Sequence, residues 1–252
     1  MITSAIASRA DLARRLMALT DLTSLNESDN AASTQALALL ARSTALKPAA
    51  VCIFARWIPA ALEALDGSGI PVCAVANFPS GEATPEAAAA ETAAAVAAGA
   101  SEVDVVFPYR ALLAGESQIG LALVHSCREA CGKQALLKVI LETGQLQSAH
   151  RIRRAAEIAI DGGADFIKTS TGKTQPAATP EAAGIMFDAI AAAKRYGRSI
   201  GFKASGGIRT IDDASDYLSL YERRFGSGGA SSANFRIGAS GLFKELLAAV
   251  ST

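Results

Sequence analysis

The stretch SAHRIRRAAEIAIDGGADFIKTSTGK, residues Ser148–Lys173, holds one complete helix-to-strand unit. Its first half, 148–161, spaces apolar residues as one face of a helix, and Gly162 stands where such a helix should stop. Ala164–Ile167 then reads as a short apolar strand opened by a glycine pair. Lys168 arrives where the strand should finish. Burying an ammonium costs several kcal/mol unless it is paired or loses its proton, so its place there needs a reason.

The same unit recurs along the chain. Strands are expected at Leu19–Thr23, Ala50–Phe54, Val72–Asn77, Glu102–Phe107, Leu136–Glu142, Asp165–Thr169, Ser199–Lys203 and Asn234–Gly238. Helical spacing fills 31–46, 57–67, 84–98, 117–131, 148–161, 180–196, 211–224 and 240–250. Thr84-Pro85-Glu86 and Thr179-Pro180-Glu181 are helix starts with proline at the first helical position. Eight alternating strands and helices make a (β/α)8 TIM barrel. A doubly wound open sheet is the competitor, but no GxGxxG turn follows any expected strand. Residues 1–19, MITSAIASRADLARRLMAL, read as an additional amphipathic N-terminal helix, not a signal peptide. Without a linker or low-complexity tract, residues 1–252 read as a single domain.

Composition narrows the function. Twenty-four basic residues balance twenty-four acidic ones, with no basic run, which argues against a nucleic-acid or membrane-surface role. Half of the 252 residues are apolar, enough for a well-buried core. Cys127 and Cys131 share a helix face, but no histidine pair or CxxC accompanies them, so no metal site is expected. A chain this apolar has little need of disulfides, which makes a cytoplasmic location the default.

Reactive groups of a barrel belong at the C-terminal strand ends, which here carry Asp21, Thr23, Cys52, Asn77, Asp104, Glu142, Lys168 and Lys203. Strand parity puts Lys168 and Lys203 on inward faces of adjacent strands, with Asp104 able to face them. A lone lysine there could reach out to water or pair with Asp104 for structure alone. Two lysines and a carboxylate in one mouth point to chemistry. Two ammonium groups held close repel, which favours one neutral amine, a nucleophile toward carbonyls. Lys168 is then the amine, Lys203 the group that keeps it unprotonated, and Asp104 the acid–base partner, directly or through water. KASGGIRT (203–210) and RIGASGLF (236–243) are glycine turns after the seventh and eighth strands, where a phosphate sits on backbone N–H groups. Gly206, Gly207, Gly238, Ala239 and Ser240 are the candidates, with Gly172 and Lys173 closing the rim.

DLTSLN (21–26), EVDVVFPYRALLAG (102–115), LLKVILETG (136–144), GADFIKTSTGK (163–173), GFKASGGIRT (201–210) and FRIGAS (235–240) together resemble the deoxyribose-phosphate aldolases, in order and over nearly the whole chain. The resemblance implies a class I aldolase that reversibly splits 2-deoxy-D-ribose 5-phosphate into acetaldehyde and D-glyceraldehyde 3-phosphate, in deoxynucleoside breakdown, without a cofactor. It implies Lys168 as the Schiff-base lysine, Lys203 as the second lysine and Asp104 as the proton-relay aspartate. It also implies phosphate contacts at Gly172, Lys173, Gly206, Gly207, Gly238 and Ser240, with Thr171 beside them. Asp21, Thr23 and Cys52 fall among the family's substrate-pocket positions. Ala204-Ser205 and Gly241 depart from residues common in bacterial relatives, and Gly241 removes a hydroxyl from the phosphate turn. Other Schiff-base aldolases and a silent phosphosugar-binding barrel are the rival readings, though binding phosphate alone requires neither lysine nor Asp104. Small phosphosugars and aldehydes are the expected partners, and a homodimer is the modal assembly of such a barrel.

Overall fold

The computed structural model describes residues 8–250. Of the expected N-terminal helix, α1 covers Arg9–Ala18, and the first seven residues lie outside the described part. Ser8 caps α1, its hydroxyl accepting from the Asp11 N–H at 3.1 Å. Leu19 belongs to the end of this helix rather than to the first strand, its N–H donating to the Leu16 carbonyl at 3.1 Å.

The chain continues through β1 (Thr20–Thr23), α2 (Ala31–Ser43), β2 (Ala50–Phe54), α3 (Ile58–Leu65), β3 (Val72–Ala76), α4 (Pro85–Ala97) and β4 (Glu102–Val106). Then come α5 (Tyr109–Leu113), α6 (Ser117–Cys131), β5 (Leu136–Ile140), α7 (Thr143–Leu146), α8 (Ala149–Asp161) and β6 (Phe166–Lys168). The last turn of the barrel is α9 (Pro180–Arg195), β7 (Gly201–Ser205), α10 (Ile211–Phe225), β8 (Phe235–Ala239) and α11 (Leu242–Val250). All neighbouring strands pair in parallel in sequence order, and β8 returns to β1 with Gly238 opposite Asp21, so the sheet is a closed eight-stranded barrel. The (β/α)8 reading holds. Thr84 and Thr179 cap α4 and α9 as their sequences require, each with proline in the first turn.

Alternation along the strands divides the interior in two. Outward residues such as Val103, Val105, Leu137, Val139, Ile167, Phe202 and Ile237 are buried beneath the helices in one core. Inward residues follow a different chemistry. On the β2–β3 wall they are apolar, with Ala50, Cys52, Cys73 and Val75 packed with Leu25. On the other strands they include seven charged groups, Asp21, Glu102, Asp104, Lys138, Lys168, Lys203 and Arg236, none more than 4% exposed. Phe166 fills part of the barrel below them because Gly201 opposite has no side chain; a Cβ there would lie 2.2 Å from the ring.

Further features differ from expectation. The short helices α5 and α7 follow β4 and β5 with too few residues for a periodic signal. Asn77, expected to finish β3, turns out of the strand at φ 52°. Its side chain is spent on structure, donating to the Val106 carbonyl at 2.9 Å and accepting from the Ala83 N–H at 2.9 Å. No helix among the described residues is long and apolar enough to cross a membrane.

Candidate active site

Lys168 and Lys203 are register partners on adjacent strands, and Asp104 enters from β4 to meet both. Asp104 Oδ2 accepts from Lys168 Nζ at 2.8 Å and from Lys203 Nζ at 2.8 Å. The two ammonium groups therefore do not face each other unscreened, as the sequence reading supposed. A carboxylate lies between them. Lys203 also donates to Asp21 Oδ2 at 2.5 Å. Burial opposes charge on Lys203, but Asp104 and Asp21 outweigh it and hold its pKa above the ordinary lysine value, so it is a fixed cation. β7 runs two residues further than expected, to Ser205, which sets Lys203 inside the barrel rather than at its lip. Gly238 makes room for it: a Cβ at that position would lie 2.9 Å from Lys203 Cε.

Asp104 has further partners that no motif pointed to. Its Oδ1 accepts from Lys138 Nζ at 2.8 Å and from the Cys73 thiol at 3.1 Å. Burial alone would raise the Asp104 carboxyl; Lys138, then Lys168 and Lys203, hold it well below the usual carboxylate range. Lys138 also pairs with Glu102 Oε2 at 2.7 Å. Arg236 joins Glu102 Oε1 at 2.9 Å and Asp21 Oδ1 at 2.6 Å. Asp21, fully buried, is likewise held below the ordinary range: burial would raise it, but Lys203, Lys138 and Arg236 prevail. Lys138, Glu102 and Arg236 are the functional candidates that motif reading missed. Their signal was present, a charged residue at an inward position of otherwise apolar strands in EVDVV, LLKVI and FRIGA.

Above this cluster opens a pocket of about 380 Å³. Of the expected binding residues, Thr23, Thr171, Gly172, Lys173, Gly206, Gly207, Gly238 and Ser240 line it, joined by Asn26, Ser205, Arg209 and Gly241. Gly206 and Gly207 both lie in the left-handed half of backbone space, at φ 94° and 85°, which only glycine adopts freely. Glu142, expected to finish β5, lies two residues past its end and holds the Thr171 loop, its Oε2 accepting from Thr171 Oγ1 at 2.5 Å. The Thr171 hydroxyl in turn accepts from the Lys173 N–H at 3.0 Å, and Lys173 Nζ donates to the Leu25 carbonyl at 2.6 Å.

Two expected pocket residues sit elsewhere. Asp21 lies beneath the pocket, committed to Lys203 and Arg236. Cys52 is fully buried on the apolar wall among Leu25, Ala50, Cys73 and Val75, because its β2 position points to the interior, below the rim. Its thiol lies against Cys73, a contact that, with Lys203 nearby, lowers its pKa against the effect of burial. Cys52, Cys73 and Asp104 bring three donor atoms within 4.8 Å of one another. With the Lys138 and Lys203 cations already on Asp104, a metal cation would meet repulsion there.

Residues 15–232 match the DeoC/LacD family aldolases. The chain belongs to that family. Solved structures similar to this aldolase include a candidate deoxyribose-phosphate aldolase from Toxoplasma gondii ME49, at 26% identity and TM-score 0.88, covering 96% of this chain and 95% of that one. Another, from Coccidioides immitis, shares 29% identity at TM-score 0.81, covering 94% and 86%. The deoxyribose phosphate aldolase of Aeropyrum pernix, described as a tetramer, shares 26% identity at TM-score 0.75, covering 96% and 92%. The barrel of the aldolase and its N-terminal helix are thus matched across nearly its whole length.

Proposed function

We propose that this aldolase reversibly cleaves 2-deoxy-D-ribose 5-phosphate to acetaldehyde and D-glyceraldehyde 3-phosphate through a Schiff base on Lys168, as a step of deoxyribonucleotide catabolism. The observation that carries the reading is the Lys168–Asp104–Lys203 triad, joined by 2.8 Å contacts beneath a glycine-walled pocket. In the cleavage direction the neutral Lys168 amine adds to the C1 aldehyde, and loss of water leaves an iminium. The C3 hydroxyl gives up its proton, the C2–C3 bond breaks, and its electron pair moves into the iminium to give an enamine. D-glyceraldehyde 3-phosphate leaves; the enamine carbon takes a proton, and water releases acetaldehyde from Lys168.

Asp104 touches both amines and is the group that passes protons within the triad. Its depressed pKa makes it an acceptor that hands a proton on at once rather than a resting acid. Lys203, a fixed cation, stabilises the electron-rich oxygen at C3 as it forms. The phosphate is read by Gly172, Lys173, Gly206, Gly207 and Gly238–Ser240, where backbone N–H groups, the N-terminus of α11 and the Lys173 ammonium favour an anion.

The test is borohydride reduction in the presence of acetaldehyde or deoxyribose 5-phosphate, followed by mass spectrometry, beside turnover of deoxyribose 5-phosphate against other sugar phosphates. An adduct on Lys168 and preference for the deoxy sugar are expected. An adduct on Lys203 or Lys173, or a faster reaction with another sugar phosphate, overturns the assignment.

A further inference from the structure

The buried charges beneath the pocket form a closed circuit, and the reaction described above uses only part of it. Asp104 Oδ1 accepts from Lys138 at 2.8 Å, and Lys138 reaches Glu102 Oε2 at 2.7 Å. Glu102 Oε1 pairs with Arg236 at 2.9 Å, and Arg236 with Asp21 Oδ1 at 2.6 Å. Asp21 Oδ2 then meets Lys203 at 2.5 Å, and Lys203 returns to Asp104 Oδ2 at 2.8 Å. Sign alternates at every step around the ring, three carboxylates against three cations, drawn from β1, β4, β5, β7 and β8. The ring is neutral by itself.

Lys168 hangs outside this ring on a single carboxylate contact, Asp104 Oδ2, which Lys203 shares. It is the seventh charge and has no carboxylate of its own. An uncompensated charge in a buried, low-dielectric interior is costly, so the interior as a whole balances when Lys168 is the neutral amine. We propose that the ring is what selects Lys168 as the nucleophile: by committing every buried carboxylate of the cluster to a ring cation, it makes the Lys168 proton the one that can be lost without unbalancing the interior. Glu102, Lys138 and Arg236 are then positioning residues for Schiff-base formation, although none of the three lines the pocket. The inference rests on the Schiff-base reading given above.

The charged and titratable groups around Lys168 are Asp21 on β1, Cys52 on β2, Cys73 on β3, Glu102 and Asp104 on β4, Lys138 on β5, Lys203 on β7 and Arg236 on β8. Glu142, just past β5, is engaged by Thr171. Removing a ring carboxylate leaves the ring with a net positive charge and favours the neutral amine. Removing a ring cation does the reverse. A scaffold that merely held the barrel together would give both changes the same sign, a loss.

The experiment measures the pH at which borohydride trapping of acetaldehyde on Lys168 is half-maximal, in the parent and in Glu102→Gln, Arg236→Gln and the double variant, each checked for cooperative thermal unfolding. Glu102→Gln should move the midpoint down by about one pH unit, and Arg236→Gln up by about one, roughly tenfold in rate on the acid limb. The double variant, neutral again, should return to the parent midpoint. Should Arg236→Gln not fold, Lys138→Met removes a ring cation with the same expected sign. A parent that gives no adduct on Lys168 overturns the Schiff-base reading and the ring proposal together. A parent that traps on Lys168 while the carboxylate and cation variants move the same way, or neither moves, overturns the ring proposal alone.

Discussion

Asp104→Asn tests the hub of the site through stability rather than turnover. The substitution keeps the size of the side chain but removes the charge that meets Lys138, Lys168 and Lys203, each at 2.8 Å. At the effective dielectric of folded proteins, a contact between full charges at this distance is worth about 6 kcal/mol of gross attraction, most of it offset by the desolvation of burying the ions. Breaking a buried network by deleting one partner costs about 3–5 kcal/mol, since the cations left behind stay out of water. In a chain of this size 1 kcal/mol moves Tm by about 2–4 °C, so a fall of about 6–20 °C is expected. The sign of the pH dependence follows from the depressed pKa of Asp104. A carboxyl lowered in the folded state stabilises fully above its unfolded value, about 3.9, and loses that contribution as pH falls through the lower folded value. The gap in Tm between parent and variant should therefore stay constant from pH 8 to pH 5 and narrow only in stronger acid. Thermal unfolding followed by circular dichroism across that range is the assay. A fall of less than about 3 °C at pH 7, or a gap that closes between pH 7 and pH 5, would refute the charge-hub reasoning.

Lys168→Met should abolish trapping and turnover while leaving Tm unchanged or raised, because it deletes the one lysine that lies outside the balanced ring; a fall of more than about 5 °C by calorimetry would show that Lys168 is structural. Gly238→Ala adds a methyl group 2.9 Å from Lys203 Cε and 3.2 Å from Ser205 Oγ, so it should displace the Lys203 ammonium without altering any charge. Turnover should fall about 100-fold with the Lys168 adduct still forming, and parent-like turnover would mean that Lys203 tolerates the shift. Ser240→Glu puts a carboxylate into the pocket wall and should raise KM for deoxyribose 5-phosphate far more than for unphosphorylated deoxyribose; equal losses on both would place the phosphate elsewhere.

Local patterning was enough to specify the barrel and to nominate Lys168, Lys203 and Asp104 as the candidate triad. Helical and strand periodicity are local properties, so each unit, such as the one ending at Lys168, announces itself within about 25 residues. Strand parity turns Lys168, Lys203 and Asp104 inward, and the glycine turns after β7 and β8 supply the pocket wall. What stayed hidden was the identity of each side chain's partner. EVDVV gives no means of telling that Asp104 will hold three lysines, or that Glu102 will meet an arginine 134 positions later. Asp21 and Arg236, 215 positions apart, come within hydrogen-bond reach only because β8 closes onto β1. The same closure puts a carboxylate between the two lysines and turns Cys52 into the apolar wall. Pairing energies in a buried cluster depend on distance and dielectric, both of which the chain acquires only when the sheet closes and water leaves.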